Sequence, residues 1–244
     1  MTKKEIQFIR SLAQRSARES EGLFIAEGEK LIEELVGSQL NVEQIYTTND
    51  ELVGDGIEHV SPAVMERISQ LKSANNSLAL VEIPRHTLSP QSLEGRLSIA
   101  LDDIQNPGNL GTIIRLADWF GIEDIIASRS TVDCFNPKVV QATMGAISRV
   151  RVHYCDIVDM LKSLSNNGLP IYGTYLEGEN IYSSQLSQNG VIVMGNEGQG
   201  ISKQVGEVVN RKLLIPSYPA DSASGESLNV AIATAIVCSE FRRR

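Results

Sequence analysis

The chain has 244 residues, 42% of them hydrophobic, and a formal net charge of −8. The length allows one large domain or two small ones, and the apolar content suits a full core. The acidic balance argues against a nucleic-acid binder that works by bulk electrostatics, while leaving room for local basic patches. No run approaches the roughly 18 apolar residues of a membrane span. Met1 to Arg18 is charged throughout and lacks the apolar core of a signal peptide, so a cytoplasmic protein with no membrane partner is expected. Cys134, Cys155 and Cys238 form no CxxC pair, and His59, His86 and His153 are equally scattered. Free thiols and no metal site are therefore expected.

In chain order, Glu5 to Ala17 carries Ile6, Ile9, Leu12 and Ala13 at helical spacing and predicts an amphipathic helix. Gly22 to Ala26 reads as a short strand, Glu27 to Val36 as a helix with Gly37 near its C-cap, and Ile45 to Thr48 as a strand. Ser61-Pro62 opens a further helix with proline at its first position, and Ser77 to Ile83 closes the unit as a strand. This alternation predicts a small α/β domain over residues 1–84. Pro84, Ser89, Pro90, Ser92 and Gly95 then give a linker composition, which sets a linker at 85–96 and a second domain at 97–244.

In the second domain, Leu97 to Leu101 is a buried strand ending at Asp102-Asp103. Asn106-Pro107-Gly108 makes a turn, and Asn109 is expected to cap a helix that runs to Phe120 and stops at Gly121. Arg115 and Asp118 lie three residues apart, off the apolar stripe of Ile113, Ile114, Ala117 and Phe120; periodicity alone makes them a surface ion pair. There follow a strand at Asp124 to Ala127, a helix from Asn136-Pro137 through Ile147, a strand at Arg149 to Tyr154, a helix at Asp156 to Leu164 and a strand at Pro170 to Thr174. Val191 to Met194 and Leu213 to Pro216 are continuous apolar runs, which read as strands buried on both faces of a parallel sheet. The last helix is expected from Leu228 to Phe241, with Ala231, Ala233 and Ala235 allowing another helix to approach closely. Taken alone, this βα alternation predicts an unknotted doubly wound sheet with its ligand site where the strands end.

Gly195-Asn196-Glu197-Gly198-Gln199-Gly200 follows the Val191 strand. Its order, G-x-x-G-x-G, is not the G-x-G-x-x-G of a dinucleotide site, and Gly200-Ile201-Ser202 is not a P-loop ending. Together with Ile215-Pro216, Ser227-Leu228-Asn229-Val230 and the upstream run from Asn106 to Arg115, it resembles the three motifs of the SpoU-like (TrmH) RNA 2′-O-ribose methyltransferases of the SPOUT superfamily. The motifs stand in the family's order, and the resemblance covers the chain from about Leu97 to its end. Phe24-Ile25-Ala26-Glu27-Gly28-Glu29-Lys30-Leu31 is similar to the ribosomal-protein-like, RNA-binding substrate domain that precedes the catalytic domain in many of these enzymes. An α/β cap without an RNA role is the alternative.

The resemblance implies a trefoil-knotted α/β domain with a mostly parallel sheet and S-adenosylmethionine as cofactor. It implies methyl transfer to a ribose 2′-hydroxyl of ribosomal RNA or transfer RNA, by a homodimer whose sites take residues from both chains. It assigns Arg115, Asn109, Glu197, Ser227 and Asn229 to catalysis, and Thr174, Gly195, Asn196, Gly198, Ile215, Leu228 and Asn229 to the cofactor. Read without the family, Ser227 is a helix N-cap, Glu197 satisfies loop amides, and Asn229 is a poor choice inside an apolar first helical turn. The stretch from Ser217 to Glu226 is longer than in many members, which leaves its path and any contacts of Ser222 or Ser224 open. Two other classes compete: a non-catalytic RNA-binding or ribosome-assembly protein on the same scaffold, and a dinucleotide-dependent enzyme, which the missing fingerprint opposes.

Overall fold

Thr2 opens the first helix with a capping box: its hydroxyl accepts from the Glu5 amide while the Glu5 carboxylate accepts from the Thr2 amide. That helix, α1 (Lys3–Ser11), buries Ile6 and Ile9. The single helix expected to Ala17 is interrupted, and a second, α2 (Arg15–Glu21), begins after a turn. Arg18 is the reason. It is only 2% exposed, and its guanidinium donates to the carbonyls of Leu12 at 2.7 Å and Ala13 at 2.9 Å, which a continuous helix would need for its own ladder. Its Nε also donates to Asp133 Oδ2 at 3.0 Å.

The computed structural model describes residues 1–219 and 227–243, and these divide into two compact units. The first takes Met1–Arg85 together with Asp133–Arg149. Its strands are β1 (Leu23–Glu27), β2 (Val42–Thr47), β3 (Ile57–His59) and β4 (Ser77–Glu82), in the order β1-β4-β2-β3. β4 runs antiparallel to both β1 and β2, whereas β2 and β3 are parallel. The helices α3 (Glu29–Val36) and α4 (Pro62–Ile68) complete the unit. Ile9, Leu12, Ile25, Met65, Ile68 and Leu78 lie in one apolar cluster. The later segment joins through Asp133, through Phe135 against Phe24 at 4.9 Å between ring centroids, and through α6 (Pro137–Thr143), which packs on β1. The helix expected to continue to Ile147 stops at Thr143, because Met144 (φ 51°) and Gly145 (φ 94°) are left-handed.

The second unit takes His86–Val132 and Val150–Arg244. Its strands are β5 (Leu97–Asp102), β6 (Asp124–Ser128), β7 (Arg151–Cys155), β8 (Ile171–Asn180), β9 (Gly190–Gly195) and β10 (Arg211–Leu214). They form a six-stranded sheet in the order β10-β8-β9-β5-β6-β7, every neighbouring pair parallel. Its helices are α5 (Pro107–Trp119), α7 (Ile157–Asn166), α8 (Lys203–Gly206) and α9 (Val230–Arg243), with α5 packed on α9. β5, β6 and β9 are buried along their whole length, as two-faced burial in a parallel sheet requires. Leu93, in the Pro-rich stretch before β5, is fully buried in the same core.

Arg18 and Asp133 make a buried pair whose cation also closes α1. Asp133→Ala leaves that cation without its carboxylate, and the first unit should lose about 3–5 kcal/mol. Urea unfolding followed by hydrogen exchange at the β1 amides measures this. An unchanged protection pattern would show that the carbonyls of Leu12 and Ala13 hold the guanidinium unaided.

Candidate functional site

β5 and β9 lie side by side and end together, with Asp102 opposite Gly195, so the loops leaving them meet at the carboxyl edge of the sheet. The loop after β9 closes tightly on itself. A Cβ on Gly195 would sit 2.2 Å from the backbone of Gly200 and Ile201, so no larger residue fits. Asn196 and Gly200 exchange backbone hydrogen bonds at 3.0 and 2.9 Å, and Gly200 supplies the positive φ of 71°. The Asn196 oxygen accepts from the amides of Gly198 at 2.9 Å and Gln199 at 3.0 Å. Its nitrogen donates to the Asp103 carbonyl at 2.7 Å and to Asp103 Oδ2 at 3.0 Å, tying this loop to the one after β5.

Glu197 is thereby directed at the start of α5. Its Oε1 accepts from the Asn106 amide at 3.0 Å and from Asn109 Nδ2 at 3.0 Å, and its Oε2 from the Gln105 amide at 3.2 Å. The expected cap of α5 is corrected here. Asn106 is the N-cap, accepting from the amides of Gly108 and Asn109, with Pro107 at the first helical position. Asn109 lies inside the first turn with its side chain free to bond elsewhere. Its Oδ1 accepts from Asn229 Nδ2 at 3.0 Å.

The start of the last helix is corrected as well. α9 begins at Val230, and Asn229 caps it, its Oδ1 accepting from Ala231 at 2.9 Å and Ile232 at 3.3 Å. Asparagine is therefore not misplaced in an apolar turn, and Ser227 is not the cap. Because Asn229 Oδ1 is committed to helix amides, its nitrogen must point at Asn109, whose nitrogen in turn points at Glu197. Donors run one way along the chain Asn229, Asn109, Glu197.

Asn109, Glu197, Ser227, Leu228 and Asn229 line one open pocket of about 710 Å³, together with Gln105, Asn106, Pro107 and Val230. Leu228 is 51% exposed there. Arg115 lies on the exposed flank of α5 outside that lining, and its side chain makes no hydrogen bond or ion pair among the described residues. Gly195, Asn196, Gly198, Thr174 and Ile215 also lie outside the lining. Thr174 Oγ1 donates to the Val193 carbonyl at 3.3 Å, at the end of β9. Ser222, Ser224 and the rest of 220–226 lie outside the described residues. Sequence reasoning passed over Gln105 and Asn106. The Asn-Pro pair at 106–107 was a legible cap signature; an exposed glutamine in a loop carries no such signal.

Partial burial pushes the Glu197 carboxyl up, but the Asn109 amide and the backbone amides of Asn106 and Gln105 outweigh it and hold it below the ordinary value. Glu197 is thus ionised near neutrality and is a weak base. With its folded pKa depressed, its contribution is present above the unfolded value, about 4.3. It is lost as pH falls through the lower folded value. Glu197→Gln should therefore melt with a shallower acid limb than wild type below about pH 5, while being less stable near neutrality by about 1–3 kcal/mol. Superimposable acid limbs would show that the carboxylate is not held in this way.

Among the described residues, no group of three or more His, Cys, Asp or Glu side chains could hold a metal ion, and no helix is long and apolar enough to cross a membrane. Residues 96–239 match the SpoU rRNA methylase family, and residues 3–79 match the MRM3-like substrate binding domain. Over 96% of this chain and 94% of the relative, the sequence is 27% identical to the 23S rRNA (guanosine(2553)-2′-O)-methyltransferase RlmP of Bacillus subtilis. A solved structure of a TrmH-family protein from Porphyromonas gingivalis superposes with a TM-score of 0.90 at 36% identity, covering 100% of this chain and 99% of that one. An rRNA methyltransferase from Sinorhizobium meliloti, solved with AdoMet bound, gives 0.86 at 28% identity, covering 100% and 95%. With three motif loops gathered at the edge of a parallel sheet and the family match spanning 96–239, the chain belongs to the SpoU rRNA methylase family.

Proposed function

We propose that the chain is an S-adenosylmethionine-dependent methyltransferase that acts on a ribose 2′-hydroxyl of ribosomal RNA. The observation that carries this reading is the one-way hydrogen-bond chain from Asn229 through Asn109 to Glu197, which joins all three motif loops at a single pocket. The residues present fit the cofactor: bare backbone in the glycine-rich loop after β9 and the half-exposed side chain of Leu228 suit a flat adenine. When bound, S-adenosylmethionine supplies an electrophilic methyl group. The residues proposed to hold it are Gly195, Asn196, Gly198, Thr174 and Ile215, with Leu228 and Asn229 at the pocket. Incubation with labelled S-adenosylmethionine and in vitro transcripts of ribosomal and transfer RNA tests the function. Label at a 2′-O-methyl nucleotide of ribosomal RNA is expected; label in transfer RNA alone would reassign the substrate.

Glu197, held ionised by three donors, serves to fix α5 rather than to take the ribose proton. Ser227 and Asn229 are proposed to orient the hydroxyl at the pocket mouth. Arg115 is proposed as the phosphate clamp and the stabiliser of the developing alkoxide; its exposure and lack of a described partner support an incoming anion. The first unit is proposed to engage RNA, supported by the match of residues 3–79 to a substrate binding domain. The C-terminal domain is proposed to carry the SPOUT trefoil knot, which the return of the chain to β8 and β9 beside β5 supports. A cytoplasmic location is proposed as the one that puts such an enzyme beside its RNA.

A homodimer is proposed as well. Trp119 at the end of α5 is 83% exposed and Ile232 near the start of the adjoining α9 is 54% exposed, large apolar side chains that a partner chain would cover. Light scattering at micromolar concentration should give twice the 26.7 kDa mass of the chain. A 26.7 kDa particle would refute the dimer.

For Arg115, an arginine cannot act as an unaided base, so its planar fork is the relevant property. Arg115→Lys should therefore fail almost as badly as Arg115→Ala, each losing about a hundredfold or more in transfer rate, with S-adenosylmethionine affinity retained. Near-normal methylation by Arg115→Ala would return the residue to the role of a solvated surface cation.

A further inference from the structure

Gln105 stands one residue before the α5 cap and lines the pocket. Its backbone amide is committed to Glu197, and its side-chain nitrogen donates twice, to Asp103 Oδ1 at 2.6 Å and to the Ser130 carbonyl at 2.7 Å. A carboxamide nitrogen carries two hydrogens, so both are used. The reverse orientation would set the carboxamide oxygen against a carboxylate and a carbonyl, two acceptors with nothing to give it. The side chain therefore has one orientation, and the polar atom it has left is its oxygen.

The partners that fix Gln105 are themselves fixed. Asp103 adopts a left-handed φ of 61°, which aspartate tolerates better than most residues. Its amide donates to Ser128 Oγ at 3.0 Å, and its carbonyl and Oδ2 both accept from Asn196. Ser130 Oγ lies 3.1 Å from the same Ser128 hydroxyl. Gln105 is thus an acceptor set in a rigid frame on an exposed rim, and neither the hydroxyl nor the phosphate contacts proposed above use it. Little rotamer freedom would be lost when it is engaged.

We propose that Gln105 Oε1 accepts a hydrogen bond from an N–H on the base edge of the target nucleotide, splayed into this pocket. The inference rests on the reading of the chain as an RNA methyltransferase. A planar carboxamide held in one orientation offers its lone pairs in a plane, as the edge of a flat base requires, whereas a freely rotating ribose hydroxyl needs no such constraint. Pro107, Leu228 and Val230 supply apolar surface for a base face, and sequence-specific RNA readers take unstacked bases in this manner.

A double cycle tests it. Wild type and Gln105→Leu are assayed on a ribosomal RNA transcript whose methylated nucleotide has been mapped, and on the same RNA with that nucleotide abasic but its 2′-hydroxyl retained. On intact RNA, Gln105→Leu should lose about tenfold in kcat/KM, the share of one neutral hydrogen bond. On abasic RNA the two enzymes should be nearly equal, because the partner of the oxygen is gone. Equal losses by Gln105→Leu on both RNAs, or no loss on either, would overturn the base contact and leave Gln105 a brace for Asp103. If Gln105→Leu melts lower than wild type, Gln105→Met repeats the cycle, and the same results support or overturn the contact. Wild type that methylates no RNA overturns the methyltransferase reading and this contact with it, whereas an active wild type with additive losses overturns the contact alone.

Discussion

The site depends on one carboxylate. Glu197 accepts two backbone amides at the opening of α5 and the side-chain amide of Asn109, all within 3.0 to 3.2 Å. The start of a helix concentrates unpaired amides and a positive dipole end, so an anion there is favoured twice. Hydrogen bonds to a charged group contribute about 1.5–3 kcal/mol each. Glu197 comes from the loop after β9 and α5 from the loop after β5. Asn196 on Asp103 and the Ser202 amide on Asp102 also tie the two sides, but only at the strand ends. Among the described residues, Glu197 carries the connection out to the helix and joins the two loops into a single edge.

From that anchor the remaining orientations follow by exclusion. A carboxylate only accepts, so Asn109 must turn its nitrogen to Glu197 and its oxygen away. The oxygen can be satisfied only by a donor, and Asn229, with its own oxygen committed to the amides of Ala231 and Ile232, supplies one. The same logic fixes Gln105 beside Asp103. Three carboxamides are thus set without ambiguity by two helix starts and two carboxylates. The structural and functional readings of these residues do not compete: a side chain that caps a helix is also one that cannot rotate when a substrate arrives.

Much of this was legible in the sequence, and the parts that were not have physical reasons. β5 and β9 were plain because burial on both faces demands the continuous apolar runs at Leu97 and Val191, whereas the strand expected at Leu213 to Pro216 is the edge strand β10, Arg211–Leu214, largely exposed because it has a neighbour on one side only. Helix starts were displaced because several cap-forming residues stand close together. Asn106 and Asn109 both suit a cap, as do Ser227 and Asn229, and the choice falls to Pro107 and to partners far away in sequence. The break between α1 and α2 was invisible for the same reason, since Arg18 finds Asp133 at a separation of 115 residues. β3, with three residues, offers too short a pattern for any period to register. Of the residues the motifs named, Asn109, Glu197, Ser227, Leu228 and Asn229 line one pocket, yet only distances could say that Asn229 reaches Glu197 through Asn109.

The charge of the chain bears on how such a site must work. At a net −8 the protein gains little from general attraction to phosphate. An acidic protein that binds RNA must take its register from a few placed groups rather than from a basic field. Arg115, exposed on the third turn of α5, is the group proposed above for that part. Rigid acceptors and donors matter more here than they would on a basic surface, since each must discriminate without the help of bulk affinity. A site built from carboxamides locked in one orientation meets that requirement, because an amide that cannot flip presents one pattern and rejects its mirror.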